Sequence, residues 1–208
     1  MTGQRLTALV FLALTGAYAL HSRVFEETAT GRSLGVWDLL LDLGGNPYYL
    51  GFVVVPLWLV LSALRATRTA SPGALLRHGS LLRAWGGTLA GLATLYAKAA
   101  ASALAVCLVC GAGLQPTSFA PPESIADVFR AHGFAPVAAL VAQVGLLGAS
   151  LCATAAVVVS VRLLSGRASA TWASVGGLFL WVVLSVLAVV PPSAPLSAAA
   201  FLDVAVGL

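Results

Sequence analysis

Apolar residues in this chain run in long blocks. Five of them approach or reach the roughly 20 residues that a spanning helix needs: 6–20, 49–64, 85–112, 136–161 and 170–190. The first two are short and must borrow flanking residues. The third and fourth are long enough to tilt or to project beyond a bilayer. Between the first two blocks a helical period returns, in Ser33-Leu34-Gly35-Val36-Trp37-Asp38-Leu39-Leu40-Leu41-Asp42-Leu43-Gly44-Gly45-Asn46-Pro47. Ser33 can cap a helix, and Gly44-Gly45 followed by Pro47 can end it. Asp38 and Asp42 share one face at i, i+4, while Leu34, Trp37 and Leu41 fall on another. The pattern predicts an amphipathic helix lying on the outer surface, as a gate or cap over a translocation path or as an interfacial anchor. The expected fold is an all-α, polytopic membrane helix bundle with five spans, six being the alternative, and an outer amphipathic helix. A single transmembrane domain covers 1–208.

Both ends of the chain qualify this picture. Arg5, the apolar run after it and Ala17-Tyr18-Ala19 together resemble a signal peptide with its cleavage site; a retained first span is the reading adopted. After Pro191-Pro192, segment 195–208 is apolar but too short to cross, and it carries Asp203, whose charge is costly in hydrocarbon. It is expected to dip into the outer interface, to pack on a partner, or to form a sixth half-span.

Composition agrees with the blocks. The chain has 208 residues, 60% hydrophobic and only 9% charged, with mean hydropathy +0.98. Soluble domains carry about 25% charged residues, so lipid must solvate much of this surface. The net charge of +4 is small and spread out; it reads as topology bias and not as a nucleic-acid surface. The excess of arginine over lysine, with Ile125 the only isoleucine, suggests a GC-rich bacterial genome.

The charges then sort by side. Arg5, Arg65, Arg68, Arg77, Arg83, Arg162 and Arg167 lie in the segments before block one, between two and three, and between four and five, where no acid occurs. The opposite segments hold every acid: Glu26, Glu27, Asp38, Asp42, Glu123, Asp127 and Asp203, with Arg23, Arg32 and Arg130. The positive-inside rule then places the N-terminus in the cytoplasm and 22–48, 113–135 and 191–208 outside. The localisation expected is the bacterial cytoplasmic (inner) membrane, multi-pass.

The arginine-bearing loop 65–84 is the most patterned segment. Ser71 and Pro72 make a helix start, and the turns after it place Leu75 and Leu76 beside Arg77, with His78, Gly79, Ser80, Leu81, Leu82 and Arg83 leading to Trp85. A short basic amphipathic helix here suits a groove on a cytoplasmic partner. It equally suits anionic headgroups, with Trp85 at the interface. The order of a span, an outer amphipathic stretch, a second span and a loop of the form Leu-Leu-Arg-x-Gly-Ser-x-x-Arg-x-Trp resembles the short permease subunits of bacterial ABC-type exporters. That resemblance covers the layout of residues 1–190, and its local motif is 75–85. It implies a coupling helix in which Leu75, Leu76, Arg77, His78, Gly79 and Arg83 contact a separately encoded cytoplasmic ATPase. It also implies a second membrane subunit or a homodimer, with ATP-Mg held by the partner and no cofactor in this chain. These permeases usually have six spans, and often carry extra basic residues where Leu81 and Leu82 stand.

Within the blocks, Lys98 is the one charged group of the third, in Tyr96-Ala97-Lys98-Ala99, which is not a phosphate-binding glycine loop. It lies roughly 20 Å along the helix from Trp85. It either lines a substrate path, with Tyr96 and Gln143 as candidate neighbours, or snorkels to an interface. Gly87 and Gly91 form GxxxG, and Gly145, Gly148, Gly176 and Gly177 add small residues that let helices approach closely, chiefly within the chain. Cys107-Leu108-Val109-Cys110 lacks the second pair of a membrane thiol oxidoreductase, so buried small hydrophobes are expected. His21, His78 and His132 have no metal-binding spacing, and no catalytic motif is recognisable. Two roles remain in view: the exporter permease, and an accessory subunit that stabilises a larger membrane complex without a transport path of its own.

Overall fold

The computed structural model describes residues 2–25, 28, 35–71, 73, 78–114 and 131–187. Among them are helices and turns but no strand, an all-α polytopic bundle. The elements are α1 (Thr2–Phe25), a short α2 (Val36–Gly45), α3 (Pro47–Thr69), α4 (Leu81–Cys110), α5 (Pro136–Ser165) and α6 (Ala168–Val186). All but α2 are long and apolar enough to cross a membrane. The two short apolar blocks do borrow flanking residues: α1 runs on to Phe25, and α3 extends from Pro47 to Thr69. With 30 residues each, α4 and α5 are about 45 Å long and exceed a bilayer core.

Local chemistry sets the ends. Asn46 separates α2 from α3, and its Oδ1 accepts the N–H groups of Tyr48 and Tyr49 at 3.0 and 3.1 Å, an N-cap just before Pro47. Leu50–Val54 is a π-helical turn. It precedes Pro56, which lacks the N–H needed for an i→i−4 bond. Ser80 Oγ accepts the N–H of Arg83 at 3.2 Å and so caps α4. Gly166, at φ +64°, takes the left-handed conformation that ends α5 one residue before the α6 cap at Arg167.

The chain divides into two compact units. One contains the described residues of Met1–Tyr49 and Lys98–Leu146, the other those of Leu50–Ala97 and Leu147–Phe201; α4 and α5 contribute to both. In the second unit, Trp58, Ala66, Leu92, Leu151, Ala155 and Val159 form a buried cluster. Trp58 donates its indole N–H to the Leu151 carbonyl at 2.6 Å, and its ring meets Tyr96 edge-on at 6.2 Å. Gly148 makes room for that tyrosine: a Cβ there would stand 2.5 Å from Tyr96 Cε1. Leu59, Ala63, Val158 and Val175 join α3, α5 and α6. Trp85 bonds Ser160 Oγ at 3.1 Å, linking α4 to α5. Hydroxyls in these helices return to a carbonyl one turn back, as Ser62 does to Trp58 and Thr171 to Arg167, so they are satisfied without water.

The first unit holds the main departure from the sequence reading. Asp38, Leu39, Leu40 and Leu41 are all buried. At about 100° per residue, four consecutive positions cover every side of a helix, so α2 is enclosed by protein and has no free face. The apolar face of Leu34, Trp37 and Leu41 omits Leu39, Leu40 and Leu43. Counting these makes α2 apolar nearly all round, and such a helix is buried. Leu34 and Ser33 lie outside the described residues. Leu41 packs on Ala139 of α5, with Trp37 half-buried alongside.

Candidate functional site

The enclosure of α2 carries Asp42 against α1. Its Oδ2 accepts hydrogen bonds from Tyr18 Oη at 2.7 Å and from Ser22 Oγ at 2.9 Å. The Tyr18 ring stacks on Tyr49 with centroids 4.6 Å apart. The Tyr49 and Thr15 hydroxyls lie 2.8 Å apart, and Thr15 donates to the Phe11 carbonyl at 2.8 Å, so Tyr49 is the donor to Thr15. Thr15, Tyr18 and Ser22 sit at i, i+3 and i+7, one polar stripe on a helix that is otherwise apolar there. Asp42 and Tyr49 face this stripe from the neighbouring segment.

Two helices hold α2 in place. Tyr18 lies about 10 Å along α1 from Phe25. Gln143 lies about 10 Å along α5 from Pro136, and its Nε2 donates to the Leu41 carbonyl at 3.2 Å. The ten residues of α2 are about 15 Å long, half of a hydrocarbon core of about 30 Å. α2 thus packs against both α1 and α5. Gly44 permits the approach of Gln143, since a Cβ there would stand 2.7 Å from Gln143 Oε1. Sequence alone marks Gly44-Gly45 only as a terminator.

The other residues singled out from sequence take separate places. Asp38 caps its own helix, its Oδ2 accepting the Gly35 N–H at 3.0 Å. Tyr96 packs on Trp58 and Gly148. Gln143, 6% exposed, packs on α2 with its Oε1 unbonded. Lys98 is exposed, and no hydrogen bond among the described residues joins it to Gln143. Arg23 donates from one nitrogen to the carbonyls of Cys110 and Ala112, at 2.9 and 3.3 Å, which serves the unpaired carbonyls at the end of α4. Cys107 is buried and Cys110 half-buried, and both are free thiols. No group of three His, Cys, Asp or Glu among the described residues could hold a metal ion.

Of the proposed coupling segment, Leu75, Leu76, Arg77 and Pro72 lie outside the described residues, as do Asp203 and 195–208. His78 is half-buried, with Cε1 3.7 Å from where a Gly87 Cβ would stand. Gly79 has φ +68°, and Arg83 is exposed beside Leu81 and Leu82, which are 51% and 76% exposed.

Sequence reasoning misses Thr15, Tyr18, Ser22 and Tyr49 as site residues. The signal is present as the i, i+3, i+7 hydroxyl stripe, but an Ala-x-Ala pattern absorbs Tyr18. Comparison with protein-family models, curated proteins and solved structures finds no match to this chain.

Proposed function

We propose that the chain is the membrane-spanning permease subunit of a multi-chain ABC-type exporter, coupled through loop 71–85 to a separate ATPase. In this reading it sits in the bacterial cytoplasmic membrane with its N-terminus cytoplasmic, and ATP-Mg stays on the partner. The observation that carries the proposal is the buried short helix α2, which follows the first span on the acid-bearing side. Such an element shifts without breaking any span, because its ends are a glycine, Gly35, and the Asn46-Pro47 junction. That suits a gate over a path. The exposed Leu81, Leu82 and Arg83 at the start of α4 offer the mixed apolar and basic surface that docking on an ATPase requires. Gly176 and Gly177 have open space where a Cβ would stand, which favours a further helix, from a second subunit or a second copy, lying against α6.

The test is co-purification from gentle detergent. An ATPase should accompany the intact chain and be lost from an Arg77→Glu/Arg83→Glu variant that folds normally. Absence of any ATPase, or undiminished retention by the variant, contradicts the proposal.

A further inference from the structure

We propose that the exposed face of α3 holds an anionic phospholipid, its phosphate on Arg68 and an acyl chain along Leu64 and Val60, an inference that goes beyond the exporter reading and does not depend on it. The second unit carries its described arginines at one end. Arg65 and Arg68 lie in the last turns of α3, Arg83 in the first turn of α4 and Arg162 in the last turn of α5, while Arg167 is the N-cap of α6. Each is within about 6 Å of a helix end. Those ends meet: the hydroxyls of Thr69 on α3 and Thr88 on α4 lie 3.0 Å apart, and Trp85 of α4 donates to Ser160 of α5 at 3.1 Å. No Asp or Glu occurs in 50–97 or 147–201, the ranges that make up this unit, so no carboxylate of the unit is there to pair with these arginines.

Among these arginines, Arg68 alone continues an exposed apolar lane. Val60, Leu64 and Arg68 stand at i, i+4 and i+8 on one face of α3. All three are exposed, the first two to 39% and 42%. No hydrogen bond or ion pair among the described residues engages the Arg68 side chain. The others differ. Arg65 turns a terminal nitrogen to Gly91 of α4, and Arg162 donates to the Gly166 carbonyl. Arg83 is followed on its own face by Gly87, Ala90 and Thr94, which offer no bulky apolar surface. Arg167 is followed one turn on by the buried Thr171. Two exposed apolar turns that end in a guanidinium match an acyl chain that ends in a phosphodiester, which arginine grips through two parallel N–H groups. A dissolved phosphate would use the guanidinium and leave Leu64 and Val60 bare. The lack of acids selects the headgroup. The ammonium of phosphatidylcholine finds no carboxylate in this unit, whereas phosphatidylglycerol brings only the negative charge that arginines attract.

Native mass spectrometry of the full chain, released from nanodiscs of equal parts phosphatidylglycerol and phosphatidylcholine, counts the lipids that stay bound. The wild type should retain phosphatidylglycerol over phosphatidylcholine by about fivefold, the gain expected from one arginine at a headgroup. Arg68→Gln should remove most of that excess, and Arg68→Lys should keep most of it. Arg83→Gln deletes the same charge where no apolar lane adjoins it, and should leave the excess nearly intact. Glycerophosphoglycerol, the headgroup without acyl chains, should not displace the retained lipid when added in large excess. Equal retention of the two lipids by the wild type overturns the proposal whether or not any variant folds. So does an undiminished excess in a folded Arg68→Gln protein. An equal loss in Arg68→Gln and Arg83→Gln would mark a diffuse basic field, and displacement by the chain-free headgroup would mark a simple anion site; either result also overturns it.

Discussion

Replacing Gly148 by alanine tests the packing of the second unit, with two other glycines as internal references. A Cβ at Gly148 would lie 2.5 Å from Tyr96 Cε1 and 3.1 Å from two further ring atoms. The ring cannot flex, and Trp58 and the cluster around Leu92 and Leu151 hold it in place. Overpacking of this kind costs about 1–3 kcal/mol. Alanine returns up to about 1 kcal/mol in helix propensity, so the net effect is a loss of roughly 1 kcal/mol or more. Gly91 looks similar by distance, at 2.8 Å, but its neighbour is the terminal nitrogen of Arg65, which can swing aside. Gly145 has nothing within 4 Å. The expected order of stability is Gly145→Ala at or above Gly91→Ala, both above wild type, and Gly148→Ala below. Thermal unfolding can be followed in detergent by dye labelling of Cys107, which is 1% exposed, in a chain keeping no other cysteine. Tyr96→Leu should abolish most of the Gly148→Ala penalty, since the two residues are in contact. A Gly148→Ala protein as stable as Gly145→Ala would refute the argument.

Other outcomes follow from the same contacts. Tyr18→Phe keeps the stack on Tyr49 but removes a donor to Asp42, and should lower stability by about 1 kcal/mol in the same assay. Trp58→Phe keeps most of the ring packing and removes the indole bond to the Leu151 carbonyl, which still accepts the Thr154 hydroxyl, and should cost about 1 kcal/mol; no loss would mean that the 2.6 Å bond is idle. Gly44→Val should destabilise by displacing Gln143, and Gln143→Ala in the same chain should recover much of the loss. If the chain is the exporter permease proposed above, Cys107→Ser should leave transport intact in vesicles reconstituted with its ATPase, whereas its abolition would favour membrane thiol chemistry.

The five spans were legible because lipid imposes one requirement over about 20 residues, and block length reports it directly. Their ends were less so. Phe25 and Thr69 lie in mixed sequence, and only the helical hydrogen bonds carry α1 and α3 that far. The outer helix was legible as a helix, from Gly44-Gly45 and the Asp38/Asp42 spacing, but its burial was not. Two acids on one side read as a wet face, yet Asp38 turns back on the Gly35 N–H and Asp42 is met by hydroxyls from α1. The α1 partners of Asp42 are 20 and more residues away in sequence, and no local period announces them. Lys98, Tyr96 and Gln143 stand out together because all three are polar within apolar blocks. Polarity marks a need for a partner but does not say which, and each takes its own surroundings.

The central claim is that α2 is enclosed in the bundle. Leu39→Cys, Leu40→Cys and Leu41→Cys, each in an otherwise cysteine-free chain in intact membranes, sample three sides of the helix. Labelling by a membrane-impermeant maleimide should be slow at all three, while His132→Cys, at an exposed position, reacts fast. Labelling at any one of the three as fast as at His132→Cys would put α2 on the surface and contradict the account.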